Sequence, residues 1–254
     1  MTDPSAGRPR PRVVLVHGSR LSHTQWSPQV RLLEDADLDL VLPDLPGHGA
    51  RVAEPFTLRR AVGAIAEAVE RGDPAAPVVL VGHSLGGYAA MAYAAAFPRR
   101  LDGLLLLGSA AVPVGPGAAA YRLVARVTDA VGARRMTRVN DRVLRRLYGD
   151  VVEEAIAGGY YFTVTGDAWL EVMARCRPHQ LREVTCPVVV AGGRWDQLGV
   201  DAHRFARAAR DGRVVRIPGA GHAVGFDQPQ ALADLVREVA EASVRGRDET
   251  MGAP

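Results

Sequence analysis

Six short apolar runs, at 12–17, 38–43, 77–82, 103–108, 187–192 and 213–217, constrain the fold of this 254-residue chain more than any other feature. They are rich in valine and leucine and do not alternate apolar with polar. A strand that buries one face alternates with period two, whereas a continuous apolar run belongs to a strand buried on both faces, as in a parallel sheet covered by helices. The intervening segments supply those helices. Residues 57–71 open on Thr57, a natural N-cap, and place Leu58, Val62, Ile65 and Val69 on one face. Residues 85–97 are alanine-rich and stop before Pro98, and 201–210 and 228–243 complete the set. Strands alternating with helices predict an α/β fold built on a doubly wound, mostly parallel sheet.

One stretch breaks the rhythm. Between Gly108 and Pro187 there is no further buried strand, and so long a connection needs structure of its own. Its segments 118–131, 136–148 and 151–158 read as helices. The division that follows is a core of 12–111 and 185–244, a helical lid or cap inserted at 112–184, and polar, flexible tails at 1–11 and 245–254. The longest uncharged stretch, 103–121, contains Pro113 and Pro116 and reads as a strand and loop, not a membrane span. The apolar run after Arg8, Arg10 and Arg12 is too short for a signal-peptide core, so the expected location is the cytoplasm, with no membrane partner.

Chemistry concentrates in Gly82-His83-Ser84-Leu85-Gly86, a G-x-S-x-G sequence that ends one expected strand and opens one expected helix. A serine at so tight a turn projects its hydroxyl above the sheet at a helix N-terminus, where developing negative charge is favoured. Serine needs a base. Of seven histidines, His222 lies in a glycine-rich loop just past the last strand, at the edge where loops converge. His83 is expected to point away from the serine, and His17 to hydrogen-bond within its loop. Asp196, after the strand 187–192, is the carboxylate expected to hold His222. Its rival Asp201 reads as an N-cap. The oxyanion donors expected are the backbone amides of Ser19 and Leu85. Arg20 could add a polar contact.

Absences narrow the field. All 31 basic residues are arginine, which excludes Schiff-base chemistry and the lysine of a phosphate-binding P-loop. Two cysteines exclude a disulfide framework and a multi-cysteine zinc site. No metal or organic cofactor is implied.

VLVHGS at 14–19, Trp26, DLPGHG at 44–49, VGHSLGG at 81–87, GGRWD at 192–196 and PGAGH at 218–222 run in one order along the core. In this the chain resembles the α/β-hydrolase superfamily, and within it the small BioH-like and methylesterase-type carboxylesterases. The resemblance implies a Ser-His-Asp hydrolase of small-molecule esters, thioesters or lactones, with the leading antiparallel strands reduced or absent. Acyl transfer, macrolactonisation, lyase chemistry at the same triad, or a non-catalytic ligand receptor are the alternatives. Ala223 stands where carbon–carbon hydrolases and hydroxynitrile lyases carry a functional tryptophan or lysine. A serine nucleophile argues against dehalogenase and epoxide hydrolase chemistry.

From Arg122 to Arg146 the expected lid carries eight arginines and two acids. This is either a solvated face or a docking surface for an acidic partner such as an acyl carrier protein. No aromatic residues interleave those arginines, which argues against nucleic acid. Trp26, Tyr160, Tyr161 and Trp169 are the aromatic residues expected to line a substrate pocket with Arg20.

Overall fold

A computed structural model gives the fold and describes residues 9–112, 132–162 and 165–252. All six apolar runs are strands: β1 (Arg12–Val16), β2 (Asp39–Val41), β3 (Val78–His83), β4 (Gly103–Leu107), β5 (Val188–Gly193) and β6 (Gly212–Ile217). They form one parallel sheet in the order β2-β1-β3-β4-β5-β6. The helices are α1 (Ser27–Leu32), α2 (Leu58–Glu70), α3 (Leu85–Ala96), α4 (Ala133–Tyr148), α5 (Glu153–Ala157), α6 (Thr165–Arg175), α7 (Ala202–Ala208), α8 (Val224–Asp227) and α9 (Pro229–Gly252). Thr57 caps α2 as expected, its hydroxyl accepting from the Arg60 amide at 3.2 Å.

The helices sort by face. α2, α3, α6 and α7 cover one side of the sheet around Leu80, Leu104 and Val190, while α1 and α9 cover the other around Val79, Leu105 and Val189. Successive residues of a strand point to opposite sides, so a two-sided sheet needs apolar residues at every position. That holds for β4 and β5, and for β1 and β3 apart from Arg12 and His83 at their ends. It does not hold for β2 and β6, which are half-exposed because each has a neighbour on one side only. Arg12 in β1 is buried with its guanidinium on Asp39 at 2.6 and 2.8 Å, so its charge is compensated where the edge strand ends.

Two boundaries move. The segment 245–254 was expected to fray, yet α9 runs on to Gly252, and Arg247 donates to Asp102 at 2.9 Å and to the Ala75 carbonyl. A charge pair at the amino edge of the sheet thus extends a helix whose sequence there is polar. The expected lid divides. Its helix at 118–131 lies outside the described residues. Residues 132–160 form α4, a 3-10 turn and α5, which rest on the loops at the carboxyl edge through a small cluster of Leu21, Val152, Ile156 and Phe226. By contrast α6 and the 3-10 turn Pro178–Glu183 pack into the main core, with Val172, Cys176 and Leu181 fully buried and Trp169 edge-on to Tyr88 at 5.9 Å. Neither element was expected from the sequence, because short segments give too few turns for a period to register.

Candidate active site

The chain passes from β1 outward to β2 and returns across β1 to β3, so the crevice between β1 and β3 is where the winding reverses. Ligand sites of open α/β sheets form at such a point, beyond the carboxyl ends of the strands. Ser19 follows β1, Ser84 follows β3, Asp196 follows β5 and His222 follows β6.

Ser84 has φ 53° and ψ −117°, a left-handed strained conformation for a residue with a side chain. Three neighbours hold it there. Its amide donates to the Leu107 carbonyl at 2.8 Å, and its carbonyl accepts from Gly87 and Tyr88 at 3.0 and 3.2 Å. Gly82 and Gly86 make the turn feasible. A Cβ on Gly82 would overlap the Gly86 backbone, and one on Gly86 would overlap the carbonyls of Val16 and His17.

His222 Nε2 lies 3.1 Å from Ser84 Oγ, and His222 Nδ1 lies 2.9 Å from Asp196 Oδ1. The second contact makes Nδ1 the protonated nitrogen and leaves Nε2 to accept from the serine. Asp196 Oδ1 also accepts from the Leu198 amide at 2.8 Å. Burial alone would raise the Asp196 pKa, but the hydrogen bond and charge of His222, with the Leu198 amide, hold it below the usual carboxylate range. Gly108, at φ 58°, leaves room for this carboxylate, since a Cβ there would come 2.8 Å from Asp196 Oδ2. Asp201, the rival acid, makes no hydrogen bond to His222. It stands at the N-cap position of α7, but its carboxylate accepts from the Val112 amide at 2.8 Å and makes no cap bond.

Two residues enter that the sequence did not single out for the site. Gln25 Oε1 accepts from the Gly18 amide at 2.9 Å, and Gln25 Nε2 donates to His83 Nδ1 at 3.1 Å. His83 Nε2 then donates to the His222 carbonyl at 3.0 Å. His83 does point away from Ser84 Oγ, but it packs its ring 4.9 Å from that of His222. One chain of hydrogen bonds therefore ties the loop after β1 to the loop after β6. Burial, with repulsion from His222, pushes the His83 pKa down to about 4, so it is neutral and can accept from one side and donate to the other. Only the tertiary contact with Gln25, 58 positions away, reveals this role.

A cavity of about 320 Å³ opens over Ser84 and His222. Ser19, Arg20 and Trp26 line it, together with Asn140 and Leu144 of α4, Gln197, Leu198 and Phe226. Tyr160, Tyr161 and Trp169 do not line it. Trp169 is spent on the core, Tyr160 stacks on Phe162 at 6.0 Å, and the Tyr161 hydroxyl donates to the Gly158 carbonyl at 2.6 Å. Among the described residues no other group engages the Ser19 amide. Leu85 opens α3, where helix geometry leaves the first amides without intrahelical acceptors.

The alpha/beta hydrolase family model matches residues 13–235. The chain belongs to the α/β-hydrolase family. It is 29% identical over 260 residues to a pimeloyl-[acyl-carrier protein] methyl ester esterase of Aromatoleum aromaticum, covering 91% of this chain and 98% of the relative. It is 28% identical over 252 residues to a 2-succinyl-6-hydroxy-2,4-cyclohexadiene-1-carboxylate synthase of Serratia proteamaculans, covering 90% and 92%. Among solved structures, a malate-bound thermophilic esterase of Thermogutta terrifontis superposes with a TM-score of 0.75 at 26% identity, over 93% of this chain and 91% of that one. An α/β-hydrolase fold with esterase relatives makes the protein an enzyme of the hydrolase type. Among the described residues no helix is long and apolar enough to cross a membrane.

Proposed function

We propose that the protein cleaves a carboxylic ester, thioester or lactone through an acyl-enzyme on Ser84. The single observation that carries this reading is the hydrogen-bond line from Ser84 through His222 to Asp196, ending on a strained serine at the floor of a cavity. Ser84 Oγ attacks the carbonyl carbon while His222 Nε2 takes its proton. The amides of Ser19 and Leu85 receive the oxyanion, and the N-terminus of α3 adds favourable potential. Collapse expels the alcohol or thiol with the proton from His222. Water, deprotonated by His222, then releases the acid. Asp196 holds the imidazole in the required tautomer and stabilises its charged form.

Residues 132–162 act as the cap that bounds the substrate cavity, through Asn140 and Leu144. Arg134, Arg135, Arg138, Arg142 and Arg146 are exposed on α4, while Arg145 is engaged by Asp141 and Glu153. Arg122 and Arg126 lie outside the described residues. The exposed set is a docking surface for an acidic carrier protein that presents the ester, in keeping with the activity named for the Aromatoleum relative. Charge reversal at Arg134, Arg135 and Arg138 should raise KM for a carrier-bound ester and leave KM for a free small ester alone. Two buried free cysteines suit a reducing cytoplasm.

The test of the core reading is labelling with a fluorophosphonate followed by intact mass. One adduct on the wild type, absent in Ser84→Ala and slow in His222→Ala, is the expected result. No adduct on folded wild type would sink it. A second reading, lyase chemistry at the same triad without water addition, draws on the presence of a synthase among the relatives. Hydrolysis in H₂¹⁸O separates the two, since only a hydrolase places ¹⁸O in the acid product.

A further inference from the structure

Among the described residues that line the cavity, Arg20 is the one with a permanent charge and none is a carboxylate. Its backbone is held firmly. It adopts φ 75°, costly for a residue with a side chain, and its carbonyl accepts from the Tyr161 amide at 2.8 Å in an isolated antiparallel bridge. The guanidinium lies over the Phe162 ring at 5.4 Å. Stacking fills one face of a guanidinium and leaves the N–H groups at its edge to bind a planar anion. Several arginines elsewhere pair with acids: Arg12 with Asp39, Arg51 with Glu54 and Glu67, and Arg213 with Glu238. Arg20 has no such partner among the described residues, although it is only half exposed. A cation held in a mostly apolar cavity by a strained backbone is best satisfied by a ligand.

We infer that the cavity takes a substrate bearing a carboxylate near the scissile carbonyl, and that Arg20 binds that carboxylate. This rests on the hydrolase reading above and names its substrate class: half-esters of short dicarboxylic acids, or esters whose alcohol part carries the acid. Both place the same anion on the same guanidinium. Arg20, Ser84 and His222 line the same cavity of about 320 Å³, which suits a short substrate.

The experiment measures kcat/KM for monoethyl succinate and monoethyl glutarate against their neutral amide isosteres. A second arm compares acetoxyacetate with acetoxyacetamide, which puts the acid on the alcohol side. Whichever arm responds identifies the side. The expected preference for the anionic partner is about 10- to 100-fold, the range for a charge-assisted hydrogen bond. It should shrink as salt is raised. The ratio should fall to about threefold or less in Arg20→Met and be partly kept in Arg20→Lys, whose point charge lacks the fork. If Arg20→Met fails to fold, inhibition of wild-type 4-nitrophenyl acetate hydrolysis by glutarate, and not by glutaramide, decides instead. Fluorophosphonate labelling of Ser84 with ratios near one in both arms overturns the anion inference alone. No labelling and no turnover of any ester overturns the hydrolase reading and this one with it.

Discussion

The molecule contains two histidine–carboxylate groups near the carboxyl edge of its sheet, and their partners differ. In one, Asp196 holds His222, which meets Ser84 at the floor of a cavity. In the other, Asp44 lies among His17, His23 and His48. Asp44 accepts from the His23 amide at 2.8 Å and the Ala50 amide at 2.9 Å, and the His23 ring lies 3.0 Å away. His17 has both nitrogens taken, Nδ1 donating to the Gly18 carbonyl at 2.7 Å and Nε2 accepting from the Leu45 amide at 3.0 Å. A histidine with both nitrogens on backbone has no capacity left to move a proton. It locks the loop after β1 to the loop after β2. His222 has one nitrogen on a carboxylate and the other on a hydroxyl, which is the arrangement of a base. Residue type does not distinguish a pair arranged to act on a serine from a structural one. The partner on the second nitrogen does.

Five outcomes would break or sharpen that contrast. The largest concerns the nucleophile: Ser84→Ala should lower kcat for a hydrolysed ester by about 10⁵- to 10⁶-fold, read by ester turnover, while its thermal midpoint stays near that of wild type. Next, Asp196→Asn should cost about 10³- to 10⁴-fold in kcat, because the amide favours the wrong tautomer of His222. If Asp196→Asn retained most of its turnover, the two groups would no longer differ in kind.

Stability against pH should report the structural group. Burial, with repulsion from His48, pushes His17 down to about 3, and burial pushes His83 down to about 4. Both are neutral when folded but protonate near 6.5 when unfolded. Below 6.5 the unfolded chain therefore binds more protons, and stability falls as pH falls toward those values. Each group contributes a slope of up to about 1.4 kcal/mol per pH unit inside its window. Asp44 acts in the same direction: burial would raise its pKa, but its amide and histidine partners hold it low, so its contribution is lost at acid pH. Urea unfolding from pH 8 to pH 4 should show this decline, and a flat profile would contradict the buried neutral histidines. At neutral pH, Asp44→Ala orphans two amides and should cost about 2–4 kcal/mol by the same assay.

The smallest effect tests the bridge between the groups. Gln25→Leu cuts the link from Gly18 to His83 and should lower kcat about 10-fold, with little change in KM, by loosening the oxyanion loop. A change in KM alone would place Gln25 in substrate binding instead.

Much of this was legible from residues alone. Continuous apolar runs must be buried on both faces, so the six strands and their parallel pairing followed from valine and leucine patterns. A serine between glycines at a strand-to-helix turn has few conformations open to it, so the strained Ser84 was readable, and Asp196 and His222 followed from their places after strands. The aromatic pocket was not readable. Trp169 and Tyr161 are as suited by type to a pocket as to a core, and only the path of residues 132–184 decides between them. The same holds for α6, whose few turns carry too weak a period, and for the end of α9, which depends on Arg247 meeting Asp102. Local chemistry and periodicity determined the sheet, the turn and the order of the reactive residues, because those depend on neighbours along the chain. Tertiary structure alone decided which histidine turns a nitrogen to the serine, which aromatic residues face the cavity, and that Arg20 meets Phe162 and no acid among the described residues, because each depends on a partner tens to more than a hundred residues away.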